Sequence, residues 1–319
     1  MDISLAVSAK DKLLKNLSVL SESQDKLHER RISEIAELAC LAAEYTLTLF
    51  SDDFDLIYAL SAISESIEPL PLPVPNHSGA LFANEDRILS FRKSVSVLDK
   101  VHFSQLYLER LNERAHAATE DLFLQGGSGD GRISYARNGY ADEAYDVFSQ
   151  ELPGSRVKYV SSLKDAVREV VQDGSEFALL PIEERGSRIA TVEEMLFSNE
   201  LKIAAITSVF GFDGSADMKY ALISKHFRMP RVREGDERYI ELMLSDGEDT
   251  SLSELLVAAE ALGLSLYRVC AISFTTQDGD TSQYAVILKD NGKGFSPFLT
   301  YLTLFEPSAQ IVGIYKNLE

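Results

Sequence analysis

A glycine-rich stretch at residues 126–131, Gly-Gly-Ser-Gly-Asp-Gly, divides this chain into two parts with different hydrophobic periodicity. Four glycines in six residues favour a flexible connection over a helix or a strand. Before the stretch, apolar residues recur at the spacing of one helix face; after it, short strand-like and helix-like runs alternate. The sequence therefore predicts an all-helical part followed by an α/β part, which excludes a single uniform fold class.

The first part, residues 1–125, is predicted to be a helical bundle with a long helix from about residue 8 to 48. Further helices are predicted at 59–67, from about residue 85, and at about 104–123, with a proline-rich extended connector at 68–75. The apolar face of the first helix includes Leu13, Leu17, Leu20 and Leu27. Gln24 and Arg31 interrupt this face, which predicts either a ligand pocket or an ion pair because buried polar groups need partners.

The second part is predicted to contain two regions joined by a polar connector at 231–236. Residues 132–231 alternate strands and helices, which predicts a parallel or mixed α/β sheet. Residues 236–319 follow the order strand, helix, strand, strand, helix, strand, which is the ferredoxin-like arrangement. The predicted domains are therefore 1–125, 132–231 and 236–319, in agreement with the two or three domains expected for 319 residues.

Charge and cysteine content exclude several classes of partner. The chain has 31 basic and 50 acidic side chains, a net charge of −19, whereas nucleic acids and anionic membranes require a basic surface. No apolar run approaches the length of a membrane span, and the N-terminus lacks a signal-peptide pattern. Only Cys40 and Cys270 occur, and the five histidines form no metal-binding pair. We therefore expect a cytoplasmic protein with no metal, no cofactor, no nucleic acid and no membrane partner.

Several strings after the glycine-rich stretch are similar to those of prephenate dehydratases. Residues 133–144, Ile-Ser-Tyr-Ala-Arg-Asn-Gly-Tyr-Ala-Asp-Glu-Ala, resemble the opening strand–loop–helix of that family. Residues 179–183, Leu-Leu-Pro-Ile-Glu, resemble its "VPIEN" strand end, and residues 218–224 its "TRFLVIS" strand. The resemblance implies one α/β lobe of the periplasmic-binding-protein type, followed at 236–319 by an ACT domain, the amino-acid-sensing module, whose "LGSY" ending residues 312–315 resemble.

The resemblance implies substrate-binding roles for residues at matching positions, namely Glu183, Gly186, Ser187, Thr191 and Lys219. The alternative for Glu183, Gly186 and Thr191 is a strand end, a turn and a helix cap. Met218 replaces the family's catalytic threonine, and a Met side chain has no hydroxyl to donate. Only about ten residues join Val209 to Met218, where the family has a second lobe that closes the substrate cleft. We therefore expect this region to have lost dehydratase chemistry.

The ACT resemblance assigns the effector position to three residues. The family's phenylalanine-binding "GAL" falls on Thr250, Ser251 and Leu252, while its "ESRP" falls on residues 270–273, Cys-Ala-Ile-Ser. Because the charged and turn-forming residues of "ESRP" are absent, a dimerisation role for this domain is a comparable alternative to amino-acid sensing.

The helical part is similar in places to the chorismate mutase that precedes the dehydratase in bifunctional P-proteins. Residues 29–31, Glu-Arg-Arg, resemble the family's "ERR", and Arg87 its "DxxRE". The resemblance implies that Arg31, Arg87 and Lys12 bind the carboxylates of chorismate and that Gln24 or Glu109 faces the ether oxygen. The alternative is a solvated, ion-paired helix face.

The function predicted from these resemblances is a protein of the chorismate and prephenate branch of aromatic amino-acid biosynthesis. Chorismate mutase, an isomerase, is favoured; a non-catalytic regulatory or dimerisation protein and a prephenate dehydratase, a lyase, are alternatives. The expected partners are small carboxylates, namely chorismate, prephenate or an aromatic amino acid, and a second copy in a homodimer.

Overall fold

The computed structural model describes most of the chain. The described residues are 3–49, 95–114, 131–152, 154–210, 216–227, 235–245, 251–276, 279–306 and 309–318. They fall into two compact units. The two described N-terminal helices form the first unit, and every described element from Arg132 onward belongs to the second.

The first unit is helical, as predicted. Helix α1 spans Ile3–Leu49 and helix α2 spans Val97–Arg114. The C-terminal part of α1 packs against α2. Small residues on α1 allow the two backbones to approach, and the buried apolar side chains of the pair are Ile35, Ala39, Ala42, Ala43, Val101, Phe103, Tyr107, Leu108 and Leu111. The helix predicted at 59–67, the beginning of the one predicted near residue 85, and residues 115–123 lie outside the described residues.

The prediction that a separate helix starts at about residue 104 is wrong, because α2 is continuous from Val97 to Arg114. The helix begins after Ser96, whose hydroxyl accepts a hydrogen bond from the Asp99 amide at 3.4 Å, while the Asp99 carboxylate accepts one from the Ser96 amide at 3.2 Å. This reciprocal pattern is a capping box. Ser104 lies inside the helix and donates its hydroxyl to the Lys100 carbonyl at 2.9 Å.

The predicted apolar face of α1 is exposed on the single chain over its middle turns. Leu20 is 60% exposed and Leu27 67%. Gln24 and Arg31, the predicted polar breaks, are also exposed. Among the described residues, burial on α1 begins only at Ile35, where α2 packs against it.

The second unit alternates strands and helices close to the predicted positions. Its first elements are β1 (Arg132–Ala136), α3 (Gly139–Glu151), β2 (Arg156–Val160), α4 (Leu163–Val171), β3 (Phe177–Glu184), β4 (Ser187–Arg188), α5 (Ala190–Ser198), β5 (Lys202–Phe210) and β6 (Ala216–Ser224). They continue with β7 (Arg238–Ser245), α6 (Leu252–Ala261), β8 (Leu264–Thr276), β9 (Gly279–Asp290), α7 (Ser296–Phe305) and β10 (Gln310–Leu318).

These strands form one mixed sheet in the order β2-β1-β3-β6-β5-β10-β7-β9-β8, with β4 paired to β3. Strands β1, β2 and β3 are parallel, and β6 runs antiparallel between β3 and β5. The last four strands pair antiparallel in the order β10-β7-β9-β8. With helices α6 and α7 as the crossovers, this is the predicted ferredoxin-like topology. Its assignment as an ACT domain stays a prediction.

The α/β region and the ferredoxin-like region share their sheet and one hydrophobic core. Strand β10 pairs with β5 in parallel, and Gly313 lies opposite Ile203. A methyl group on Gly313 would lie 2.5 Å from the Ile203 carbonyl oxygen, so the two backbones meet closely at this point. The core joins Leu180, Ile182 and Ile206 to Tyr239 and Met243. The predicted boundary at 231–236 therefore lies inside one compact unit, and independent folding of 132–231 and 236–319 stays a prediction.

Cys40 and Cys270 are partly exposed free thiols, although their apolar surroundings in the sequence predict burial. None of the described helices combines the length and apolar character needed to cross a membrane.

Candidate functional site

The carboxyl ends of β1, β2 and β3 lie at one edge of the sheet because the three strands are parallel. Strand β6 starts at the same edge, since Met218 pairs with Glu184 and Lys219 with Glu183. In open α/β sheets, ligands bind at this edge. We refer to this region as the carboxyl edge.

The loop after β1 is fixed by Asn138. Its side-chain oxygen accepts a hydrogen bond from the Ala141 amide at 2.8 Å and so caps α3. The same oxygen accepts a hydrogen bond from the hydroxyl of buried Tyr220 on β6 at 3.3 Å. Gly139 begins the helix, and a methyl group added there would meet nothing within 4 Å. The loop therefore leaves open space in front of the first turn of α3.

A charged and aromatic group lies beside this loop. Asp142 accepts hydrogen bonds from the Tyr135 hydroxyl at 2.9 Å and from the Arg137 guanidinium at 3.1 Å. These bonds, the one from Tyr135 above all, lower the pKa of the Asp142 carboxyl. The Arg137 guanidinium also lies over the ring of Tyr159, 5.2 Å from its centre.

The hairpin formed by β3 and β4 carries three of the predicted substrate-binding residues. Its two turn residues, Arg185 and Gly186, have φ angles of 47° and 79°. Two successive residues with positive φ form the type of tight turn that matches the twist of a hairpin. As a result, Glu183 pairs with Arg188 across the hairpin.

Glu183 is the centre of a three-residue ion pair at the carboxyl edge. Its carboxylate lies 3.3 Å from the Lys219 ammonium and 2.6 Å from the Arg268 guanidinium. Arg268 belongs to β8 in the ferredoxin-like region and also donates to the Gly186 carbonyl. The side chains of Lys219 and Arg268 are about one-third exposed, at 30% and 29%, whereas that of Glu183 is 9% exposed. Two accessible cations on one buried carboxylate leave this three-residue group with one surplus positive charge.

The other predicted substrate-binding residues lie near this ion pair along the chain but do not join it. Ser187 and Thr191 are exposed. Helix α5 starts at Ala190 after an Ile189 cap that makes no side-chain hydrogen bond, so Thr191 is not its cap. Gly186 is a turn residue, in agreement with the alternative interpretation made from the sequence.

A second charged cluster lies inside the core shared by the two regions. We call Arg188, Glu193, Glu241 and Tyr315 the buried cluster. The Arg188 guanidinium donates to Glu193 at 2.9 Å and to Glu241 at 2.5 Å, and the Tyr315 hydroxyl donates to Glu241 at 2.7 Å. Both Glu side chains are 0% exposed and that of Arg188 6%. The cluster thus fastens β4 and α5 to β7 and β10.

Burial raises the pKa of two members of this cluster, Glu193 and Tyr315. It raises the pKa of Glu193 to about 7, against the favourable charge of Arg188, because desolvation disfavours the ionised carboxyl. Burial is also the main reason that the pKa of Tyr315 is raised, so its phenol stays neutral and acts as a donor.

The residues predicted to bind chorismate do not form a buried pocket among the described residues. Gln24 and Glu109 are exposed. Arg31 is 51% exposed and forms an ion pair with Asp99, the acidic residue of the α2 capping box. The side chain of Lys12 and the whole of Arg87 lie outside what the structure describes. These roles stay predictions.

The predicted effector residues lie at the start of α6. Ser251 caps the helix by accepting a hydrogen bond from the Glu254 amide at 3.5 Å, and Leu252 is the first residue of the helix. Thr250 lies outside the described residues. An effector role for the three residues stays a prediction.

The sequence interpretation missed Arg188, Glu193, Glu241, Arg268 and Tyr315. One signal was available: Glu241 stands inside the apolar strand Tyr239–Leu244 with apolar neighbours on both sides, and a charge in such a run needs a buried partner. No pattern in the sequence identifies that partner as Arg188, 53 residues away.

Within the described residues, no group of three or more His, Cys, Asp or Glu side chains is arranged to hold a metal ion.

The link between Arg268 and Glu183 should contribute measurably to stability. Replacing Arg268 with Gln leaves Glu183 with Lys219 alone, and we expect the free energy of unfolding to fall by about 1–2 kcal/mol. Urea denaturation at neutral pH measures this. Lys164→Gln, an exposed change on α4, is the matched control, and a loss equal to that of the control would contradict the expectation.

Comparisons with known proteins give a distant structural likeness. No family model matches the chain, and no curated protein matches it. A prephenate dehydratase from Streptococcus mutans is 14% identical with a TM-score of 0.47, over 59% of this chain and 99% of that one. A prephenate dehydratase from Arthrobacter aurescens, in complex with L-Phe, is 12% identical with a TM-score of 0.44, over 58% and 89%. The quorum-quenching acylase GqqA is 15% identical with a TM-score of 0.43, over 59% and 96%. At these identities and TM-scores, the comparisons support no functional argument, so the function of this chain has to be inferred from its own residues.

Proposed function

We propose that this chain is a non-catalytic regulatory protein that binds a small carboxylate at the carboxyl edge, and that it belongs to the chorismate and prephenate branch of aromatic amino-acid biosynthesis. The observation that carries the proposal is the Glu183 ion pair. Lys219 and Arg268 hold a surplus positive charge that is about one-third exposed at the edge where α/β sheets bind ligands. A carboxylate from solution can pair with these two cations without displacing a buried group.

The absence of turnover is proposed from Met218, the third residue of β6. Elimination of a hydroxyl group requires a proton donor at the leaving oxygen. Position 218, which resembles the position of the family's catalytic threonine, is a partly buried Met opposite Glu184. Its thioether has no proton to give, and Lys219 beside it already pairs with Glu183. A prephenate dehydratase would therefore need a donor from another chain.

Binding and turnover can be tested on the same preparation. Purified full-length protein is incubated with chorismate or prephenate while prephenate and phenylpyruvate are measured, and calorimetric titrations use chorismate, prephenate, Phe, Tyr and Trp. We expect no turnover and binding of at least one of these carboxylates. Binding should weaken at least tenfold in Lys219→Met and remain unchanged in Lys225→Met, since Lys219 lies at the carboxyl edge and the exposed Lys225 follows the opposite end of β6.

Two outcomes would contradict the proposal in different ways. Formation of prephenate from chorismate would favour the chorismate mutase interpretation of Arg31, Arg87, Lys12, Gln24 and Glu109, and formation of phenylpyruvate would favour the dehydratase interpretation. Failure to bind any of the five carboxylates would exclude the proposed site. We also keep a homodimer and a cytoplasmic location as proposals, and light scattering measures the first.

A further inference from the structure

The buried cluster contains more negative charge than positive charge. Glu193 and Glu241 are both fully buried, and both pair with the one guanidinium of Arg188. The fourth member, Tyr315, is a neutral hydrogen-bond donor. With both carboxylates ionised, the cluster would hold a net charge of −1 inside a hydrophobic core.

The groups that face Glu193 come from three elements. They are Arg188 on β4, Glu241 on β7 and Tyr315 on β10, and Arg188 is the only cation among them. Glu241 uses both of its oxygens, one toward Arg188 and one toward Tyr315. The second oxygen of Glu193, Oε2, is buried without a hydrogen-bond partner among the described residues.

An unpaired, buried carboxylate oxygen is costly when the group is ionised. Of the two acids, Glu193 is the one to be neutralised, because it has one hydrogen bond where Glu241 has two. A proton on Oε2 removes the excess charge and leaves the bond from Arg188 to Oε1 intact. The raised pKa of Glu193, about 7, agrees with this geometry.

We propose that Glu193 is a proton-operated latch: when it is neutral, it holds β4 and α5 against the ferredoxin-like sheet, and when it ionises, it lets them detach. The segment that would move is short. Helix α5 has nine residues and no side-chain cap, and its buried residues are Val192, Glu193 and Leu196, so the cluster includes one of the three side chains that the helix buries. It directly follows the hairpin that carries Glu183, so the latch acts beside the carboxyl edge.

The direction of the pH dependence follows from the protonation of Glu193 in the attached and detached states. When α5 is attached, Glu193 holds its proton up to about pH 7, whereas in the detached state it titrates near its ordinary value of 4.5. Detachment therefore releases a proton, and the detachment equilibrium rises about tenfold per pH unit between those two values. Above about pH 7 both states are ionised and the equilibrium no longer changes. The attached state is thus most stable in acid, and the full change is on the order of a hundredfold.

Hydrogen–deuterium exchange followed by mass spectrometry tests the latch in the full-length protein. Peptides covering residues 187–198 are followed from pH 4.5 to 8, with rates corrected for the intrinsic pH dependence of amide exchange. Glu193→Gln mimics the neutral acid, and Glu194→Gln, its exposed neighbour on α5, is the matched control. We expect protection to fall on the order of a hundredfold with rising pH in wild type and in Glu194→Gln, and to stay constant in Glu193→Gln.

A second variant keeps the proposal testable if Glu193→Gln fails to fold. Tyr315→Phe removes the hydrogen bond that stabilises the charge on Glu241. Ionising both carboxylates then costs more, so the pair should release its one proton at a higher pH. The pH at which protection stops falling should then move upward. A wild-type profile that is independent of pH, a Glu193→Gln profile that matches the wild type, or an unchanged midpoint in Tyr315→Phe would each overturn the latch.

Discussion

Replacing Arg188 with Met is expected to lower the free energy of unfolding by about 3–5 kcal/mol at pH 7.5, because two fully buried carboxylates would lose the one cation that pairs with them among the described residues. Met has a similar length and keeps the apolar contacts of the side-chain stem, so the loss reports mainly on the missing charge. Urea denaturation measures the change. Arg185→Met, an exposed change in the turn of the same hairpin, is the matched control and should cost less than about 1 kcal/mol.

The cost of Arg188→Met should depend on pH. Near pH 5, Glu193 is protonated in the folded protein, so within the buried cluster only the charge of Glu241 remains to be compensated. We expect the loss at pH 5 to be smaller than the loss at pH 7.5. A loss below about 1 kcal/mol at both pH values would contradict the idea that these buried charges are paired mainly by Arg188.

Replacing Gly313 with Ala is expected to cost about 3 kcal/mol, because the new methyl group would lie 2.5 Å from the backbone oxygen of Ile203. Backbone atoms cannot rotate away as a flexible side chain can, so β10 and β5 would have to separate. Gly139→Ala is the control, since a methyl group there meets nothing within 4 Å. Thermal and urea unfolding measure both variants.

This prediction also tests whether the two regions of the second unit depend on each other. Gly313 belongs to the ferredoxin-like region and Ile203 to the α/β region, and they pair where β10 meets β5. Hydrogen exchange in Gly313→Ala should therefore increase in β5 as well as in β10. An effect confined to β10, or a loss no larger than that of Gly139→Ala, would show that the junction tolerates the extra atom.

Local patterns predicted the secondary structure of the second unit closely. The sequence predicts a strand at 132–137 and a helix at 253–262, and the structure has β1 at Arg132–Ala136 and α6 at Leu252–Ala261. Turn residues such as Gly263 and Gly292, which have φ angles of 91° and 90°, mark the element ends because other residues rarely adopt this conformation. The order of elements then restricted the topology of 236–319 to a ferredoxin-like sheet, and that topology is observed.

The sequence was less informative about the first unit. The apolar spacing on α1 correctly predicts a helix but does not say what covers its face, and Leu20 and Leu27 are exposed on the single chain. The predicted start of a new helix near Ser104 is wrong, because a serine hydroxyl can either cap a helix or donate a hydrogen bond to a carbonyl of its own helix. Which of these it does depends on the residues around it.

For the site, matching strings along the chain assign a substrate-binding role to both Glu183 and Lys219, and the register of β3 and β6 pairs the two residues. The role itself stays a prediction. The matching strings could not indicate that Arg268 completes the ion pair, since it comes from β8, 85 residues away. Arginines and glutamates are common on protein surfaces, so neither residue type nor spacing distinguishes a buried partner from a solvated side chain.

The sequence alone therefore determined the type and bounds of most described elements of the second unit and the ferredoxin-like order, because these depend on periodicity and backbone preference within a few residues. Only the tertiary structure decided that β10 joins β5 in one sheet and that Arg188 pairs with Glu193 and Glu241 inside the shared core. The physical reason is that the stability of a buried charge depends on partners brought from distant parts of the chain. Such partners are chosen by the packing of the whole unit.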